Sequence, residues 1–481
     1  MSEYKLFVQR IGLVGITNIL VAISSLILLP ILTKNFSIGE YGIWVQITTT
    51  IGLMPNIATL GLPYTMVRFL SAEKDENRIR EGFYSISAVV LVSTFIISVL
   101  MFIFAQNIAN GILGGDVQLA MVLAVIIFFA CLNAFLLNYF RTFQQMKRYS
   151  IFLLIQTYLG VFIVSYFALM GFSIYTAALG LLAANITTLI VMLPFIISNI
   201  GFKIPKFSNM REYLSFGLPT VPSNLSYWIT DSSDRYVIGI FLGTAFVGYY
   251  SPGYTLGNII MLILAPFTLL LPSVLPKYYE DNNMEQVDVF LKYSLKYFLL
   301  VAIPSAVGLS LLSKPILNIL TTTEIAANGY LITPFVALSA ILIGIYGITS
   351  NILVLEKKTK IIGTVWIICA ILNLGLNIIM VPYLGILGAA AVTLISYVVA
   401  FSIMLYYSNK FFTFDFNVKF IIKSIISSIL IAVIIILSRP EGILNIAIVV
   451  VVCAAVYFAS IILLKGVEKS EFKFFKNMLN E

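Results

Sequence analysis

Runs of about 20 apolar residues, parted only by short polar breaks, fill almost all of this 481-residue chain. That is the length an α-helix needs to cross a hydrocarbon core about 30 Å thick. Fourteen such runs are read, near 11–32, 41–64, 83–104, 117–140, 149–170, 174–198, 213–241, 245–276, 293–313, 328–353, 361–382, 386–408, 418–438 and 444–464. Hydrophobic residues make up 60% of the chain and charged ones 10%, with a mean hydropathy of +1.02. A soluble domain does not have this balance. The pattern predicts an all-α polytopic membrane protein, and no break is long enough to fold as a separate soluble domain. Lys5 and Arg10 precede the first run as in a signal peptide, but the run exceeds a signal's apolar region and no small-residue cleavage site follows Pro30, so it is read as a span.

The net charge of +8 raises nucleic acid as a partner, and its distribution argues against that. With the N-terminus inside and sides alternating, 25 of the 29 Lys and Arg fall on one face, leaving Lys34, Arg235, Lys314 and Arg439 on the other. The positive-inside rule then predicts cytoplasmic N- and C-termini, and it accounts for the clusters Arg78/Arg80, Lys147/Arg148 and Lys357/Lys358/Lys360.

An internal repeat sets the organisation. IGEY (38–41) recurs as VGYY (247–250), and LPYTMVRF (62–69) faces LPSVLPKY (271–278), both at an offset of 209 without a gap. Gly39 thus matches Gly248, Tyr41 matches Tyr250, Pro63 matches Pro272 and Arg68 matches Lys277. A repeat of six spans is even, so its copies enter from the same side and are parallel. The expected division is a six-helix lobe at 1–208, a second at 209–410, and two appended helices with a cytoplasmic tail at 411–481.

The chain contains no histidine, which removes the commonest metal ligand and general base. No Gly-rich phosphate loop of the GxxxxGK[ST] form is present, and Cys131, Cys369 and Cys453 lie in apolar runs at unrelated spacing, as buried thiols do. No cofactor or metal is expected. Chemistry concentrates instead in SNLSYWITDSSDRYVIGIFLG (223–243), inside the seventh run. Asn224, Tyr227, Asp231 and Asp234 follow at steps of three, four and three, so they share one helical face, and Asp231 stands four residues before Arg235, where the two can pair. Pro219 and Pro222 weaken the hydrogen-bond ladder at the start of this run. One reading makes the stripe the wall of a water-filled cavity; the other makes it an interfacial cluster reaching into headgroups. Asn18 on the first run, Gln46, Asn56 and Thr59 on the second, and Tyr254 and Asn258 on the eighth supply further polar groups, each of which singly is most often a helix-to-helix hydrogen bond. Arg68 and Lys277 end the repeat-equivalent second and eighth runs, either as positive-inside anchors or as a basic ring at a cavity mouth.

SSDRYVIGIFLG (232–243), VGYYSPGY (247–254), the Pro63-x4-Arg68 spacing and LGILGAAAVTLISY (384–397) resemble the polysaccharide transporter family, the Wzx-type flippases of the multidrug/oligosaccharidyl-lipid/polysaccharide exporter superfamily. The resemblance covers the whole chain and is most specific at Ser-Asp-Arg. It implies a transporter, not an enzyme, that moves a polyprenyl-(di)phosphate-linked oligosaccharide to the outer leaflet of the plasma membrane by alternating access. Its implied partners are that substrate, membrane lipids, and the polymerase and glycosyltransferases of cell-surface polysaccharide synthesis. It also implies that Asp234 and Arg235 lie in a cationic cavity. The polar stripe and its partners on the other runs, Asp231, Tyr227, Asn224, Arg68, Lys277, Tyr254, Asn258 and Asn18, are the other candidate substrate contacts. The appended pair of helices departs from twelve-helix flippases and resembles lipid II flippases, in which such a pair helps form a lipid groove; those carry more arginine along the first helix than this chain does. A sugar-polymerising enzyme and a cation-coupled multidrug exporter of the same superfamily are the rival readings, the latter because Asp231 and Asp234 are candidate cation ligands.

Overall fold

The computed structural model describes residues 3–412 and 417–466, with side chains from residue 12 onward; the tail beyond 466 and the side chain of Arg10 lie outside the described residues. Among the described residues the structure is helical, without strands. Contacts divide the chain into two compact units, Met1–Ser251 with Trp366–Ala389, and Pro252–Val365 with Ala390–Glu481.

In the first unit the helices are α1 (Glu3–Asn35), α2 (Ile38–Ala58), α3 (Leu62–Thr65), α4 (Glu76–Ile103), α5 (Ala105–Ile112), α6 (Val117–Thr142), α7 (Met146–Leu169), α8 (Ile174–Ile200), α9 (Met210–Gly217), α10 (Thr220–Ser232), α11 (Asp234–Leu242) and most of α12 (Thr244–Asn258). The second contains α13 (Met261–Glu280), α14 (Met284–Leu320), α15 (Thr323–Gly329), α16 (Ile332–Leu355), the ends of α17 (Thr359–Phe411), then α18 (Val418–Ser438) and α19 (Gly442–Leu463). Each unit has its own core: Leu62, Met66, Phe83, Phe135 and Phe140 in the first, Leu271, Leu291, Phe298 and Tyr457 in the second. Large apolar side chains such as Phe95, Ile371, Leu437 and Leu463 remain exposed, as in helices solvated by lipid.

Among the described residues, eleven helices are long and apolar enough to cross a membrane. One of these, α17, contains two of the fourteen runs, joined at Gly385, whose φ of 61° and ψ of −149° suit glycine. Two other runs are absent from the eleven. The second, α2, carries Gln46, three consecutive threonines and Asn56, which lower its hydropathy. The seventh is divided: α9 ends at Gly217, Pro219 caps α10, and a turn at Ser233 separates α10 from α11. Proline at 219 accounts for the first break.

α2 and α12, which begin with the two copies of the repeat motif, meet at backbone distance. A Cβ on Gly42 would overlap the carbonyl of Thr244, and one on Gly248 would press on the carbonyl of Ile38. Ser37 caps α2 through a reciprocal bond with Glu40, fixing where that helix starts.

Candidate functional site

The Asp234–Arg235 pair of the seventh run is largely buried and held by protein. Asp234 is 1% exposed. Its Oδ1 accepts from the Arg235 backbone N–H at 2.8 Å and from Arg235 Nη1 at 3.1 Å, while its Oδ2 accepts from the Tyr250 hydroxyl. Arg235 Nη1 also donates to the main-chain carbonyl of Asp231 at 3.1 Å, and its side chain is only 12% exposed. Two charges removed from water recover their desolvation cost only with this kind of close, multiply hydrogen-bonded geometry. Gln46 on α2 donates to the Arg235 carbonyl at 2.6 Å, and Thr50 shares a 2.7 Å hydrogen bond with Tyr236, so α2 and α11 are fastened side by side.

The polar stripe divides where α10 gives way to α11. Tyr227, 43% exposed, packs perpendicular to Trp366 with ring centres 4.8 Å apart, and Asp231 is half-buried, whereas Asp234 turns inward. Beside it, Ser233 donates to Asn373 Oδ1 at 3.3 Å, and Asn377 donates to the same oxygen at 3.0 Å.

At the other end of α10 the first unit encloses a cavity of about 650 Å³. Its shape follows from the end of α2: the helix stops at Ala58 with Thr59 as its cap, Gly61, with φ 69°, precedes the restart at Leu62–Pro63 as α3, and a π-helical turn at Met66–Leu70 leaves Arg68 exposed. Arg68, Tyr64 and Asn56 form one wall, Asn138 and Arg141 of α6 another, and Asn224 of α10 a third. Tyr64 donates to Asn224 Oδ1 at 3.4 Å, and Arg141 to Asn138 Oδ1 at 3.4 Å. Two guanidinium groups and three amides line this space, and no carboxylate does. Guanidinium matches phosphate oxygens through paired N–H bonds.

The structure thus brings Arg68 and Asn224 together in one cavity, and Asp231, Asp234 and Arg235 in one cluster. Asn18 is exposed on α1 and does not line the cavity. Tyr254, Asn258 and Lys277 belong to the second unit, where Tyr254 is buried and the other two are exposed. Sequence reasoning missed Arg141 and Asn138; the available signal was their three-residue spacing at the close of an otherwise apolar run. The second unit has a different cavity, of about 510 Å³, walled by Ile260 and Pro304 and, on the appended helices, Ile431, Ile435, Cys453 and Tyr457.

Comparisons with known proteins agree with this architecture. The MatE family model matches residues 219–379. The probable low-salt glycan biosynthesis flippase Agl15 of Haloferax volcanii is 25% identical over 422 residues, covering 86% of this chain and 84% of that protein. Among solved structures, the lipid II flippase MurJ in an inward closed conformation superposes with a TM-score of 0.78 at 18% identity, over 96% of this chain and 99% of that one. An inward-facing multidrug resistance MATE family transporter gives 0.67 at 16% identity, over 81% and 94%. These likenesses establish a multi-pass membrane protein with the MOP-superfamily fold. The model described as polysaccharide biosynthesis protein matches residues 7–275, more than half of the 481, and the chain belongs to that family.

Proposed function

We propose that this chain is a flippase, a transporter and not an enzyme, which carries a polyprenyl-(di)phosphate-linked oligosaccharide from the inner to the outer leaflet for cell-surface glycan synthesis. The observation that carries this reading is the 650 Å³ cavity, whose two guanidinium groups and lack of carboxylates suit a phosphate headgroup. The match to a glycan biosynthesis flippase over most of both chains supports it. In this account Arg68, Arg141 and Asn224 hold the phosphate and adjoining sugar. The apolar cavity beside α18 and α19 takes part of the polyprenyl chain. The Asp234–Arg235–Tyr250 cluster, which we place in a positioning role, keeps α11 against α2. The repeats at 1–208 and 209–410 act as the two lobes of alternating access, in the plasma membrane with cytoplasmic termini, next to the glycosyltransferases and polymerase that make and use the substrate.

The MatE match over 219–379 favours a second reading, a cation-coupled multidrug exporter. Two fixed positive charges in the cavity oppose it, since they repel cationic drugs. A deletion strain that accumulates lipid-linked oligosaccharide on the inner leaflet, restored by the wild-type chain and not by Arg68→Ala, supports flipping; a change in drug sensitivity alone supports the exporter.

A further inference from the structure

The segment between α8 and α9, GFKIPKF (201–207), has no regular structure and lies against the outside of α4, with Gly201 and Phe207 at its two ends at positive φ (74° and 58°). Hydrogen bonds to α4 hold it there. Tyr84 donates to the Gly201 carbonyl at 2.7 Å, Lys203 Nζ to the Asn77 carbonyl at 3.0 Å, the Phe207 N–H to Ser85 Oγ at 3.1 Å, and the Ser208 N–H to Glu81 Oε1 at 3.3 Å. Burial alternates along it: Lys203 and Pro205 are half-buried, while Phe202, Ile204 and Lys206 are exposed, Phe202 touching the protein edge-on at Tyr84 with ring centres 5.5 Å apart. Phe202 is 76% exposed and Ile204 73%. Apart from that one ring contact, these two large apolar side chains present most of their surface outward, and covering it with an apolar neighbour recovers transfer free energy that water forfeits.

We infer that this strap is a binding surface for anionic phospholipid of the leaflet on the Lys/Arg-rich side, with Phe202 and Ile204 among the upper acyl chains and Lys206 at the headgroup phosphates. Its place argues for lipid as the occupant. It begins where the apolar helix α8 ends at Ile200 and continues the exposed apolar surface of Phe195 and Ile197. An apolar pair beside a lysine is the composition of an interfacial anchor. Beneath its first residue lies a cavity of about 270 Å³ walled by Arg80, Gln145 and Asn199, roomy enough for headgroup atoms; Arg80 there is ion-paired with Glu76 at 2.8 Å. The strap joins the two repeats, so its attachment to lipid ties the first repeat's boundary to the membrane plane.

The test uses the full-length protein in nanodiscs of phosphatidylcholine with or without phosphatidylglycerol. Nitroxide labels are placed at Ile204→Cys, at Phe95→Cys as a lipid-facing reference and at Lys74→Cys as an aqueous one; native Cys131, Cys369 and Cys453 are buried and stay in place. Collision with oxygen and with a water-soluble nickel chelate reports immersion. The Ile204 label is expected to favour oxygen, as at Phe95. Its nickel accessibility is expected to rise about five-fold on Lys206→Glu in discs containing phosphatidylglycerol and to stay level in discs without it. Nickel access equal to that at Lys74 in both discs would overturn the inference, and a Lys206→Glu effect independent of lipid charge would overturn the choice of anionic lipid. Monodisperse elution of each labelled protein shows that it is folded.

Discussion

Asp234 and Arg235 show how ionised residues are held within an otherwise apolar run: each finds its counterion and hydrogen bonds within the protein. Removing one partner leaves a buried charge, so Asp234→Ala is expected to cost about 3–5 kcal/mol of stability, whereas Tyr250→Phe, which deletes a single donor, costs about 1–3 kcal/mol. Thermal unfolding in detergent reads both, and equal, negligible losses would refute the paired geometry. Arg68 and Arg141 are different, since they border open space. Arg68→Ala and Arg141→Ala are each expected to weaken substrate binding about ten-fold or more while leaving unfolding unchanged, because each deletes a charge-assisted contact of about 1.5–3 kcal/mol. Arg68→Lys is expected to recover only part of the loss. The sequence made Asp231, Asp234 and Arg235 conspicuous because three charges in an apolar run are rare. It did not reveal that Asp234 turns inward, because that depends on Tyr250, which only the fold brings near. Arg141 escaped notice because a basic residue closing a span is the ordinary positive-inside pattern.

Among the elements, span positions were largely legible, since length and hydropathy fix where a chain can lie in lipid. The interruptions were less so. Proline announced the break at 219, but the turn at Ser233 and the π turn at Met66–Leu70 contain no glycine or proline and arise from packing. The repeat predicted that the starts of α2 and α12 correspond; that they touch through Gly42 and Gly248 follows from the absence of side chains at those positions. Gly42→Val or Gly248→Val is therefore expected to drive the two helix starts apart. A cysteine pair at Ile38 and Thr244 reads this: it should crosslink readily in the parent background and lose most of its crosslinking in either valine variant. Unchanged crosslinking would contradict the close packing.

For the whole molecule, the charge asymmetry and even span number predict an orientation that labelling can check. A cysteine at Asp116 is expected to react with an impermeant thiol reagent from outside intact cells, and one at Lys358 only after permeabilisation; the reverse would invert the proposed direction of transport. The energy source follows from the substrate's charge. A diphosphate carries about two negative charges, and each is worth about 2.3 kcal/mol per 100 mV, so an inside-negative potential favours outward movement. The measurement that bears most directly on the proposed function uses vesicles containing the purified chain and a fluorescent polyprenyl-diphosphate oligosaccharide in both leaflets. A membrane-impermeant quencher is added and the fluorescence followed. Flipping is expected to bring the protected leaflet's probe within reach of the quencher, faster under a potassium-diffusion potential of the favourable sign, and to fall to the protein-free rate with Arg68→Ala/Arg141→Ala of unchanged thermal stability. A wild-type chain that leaves the protected probe untouched at every potential while moving a cationic dye would contradict the flippase and establish the exporter in its place.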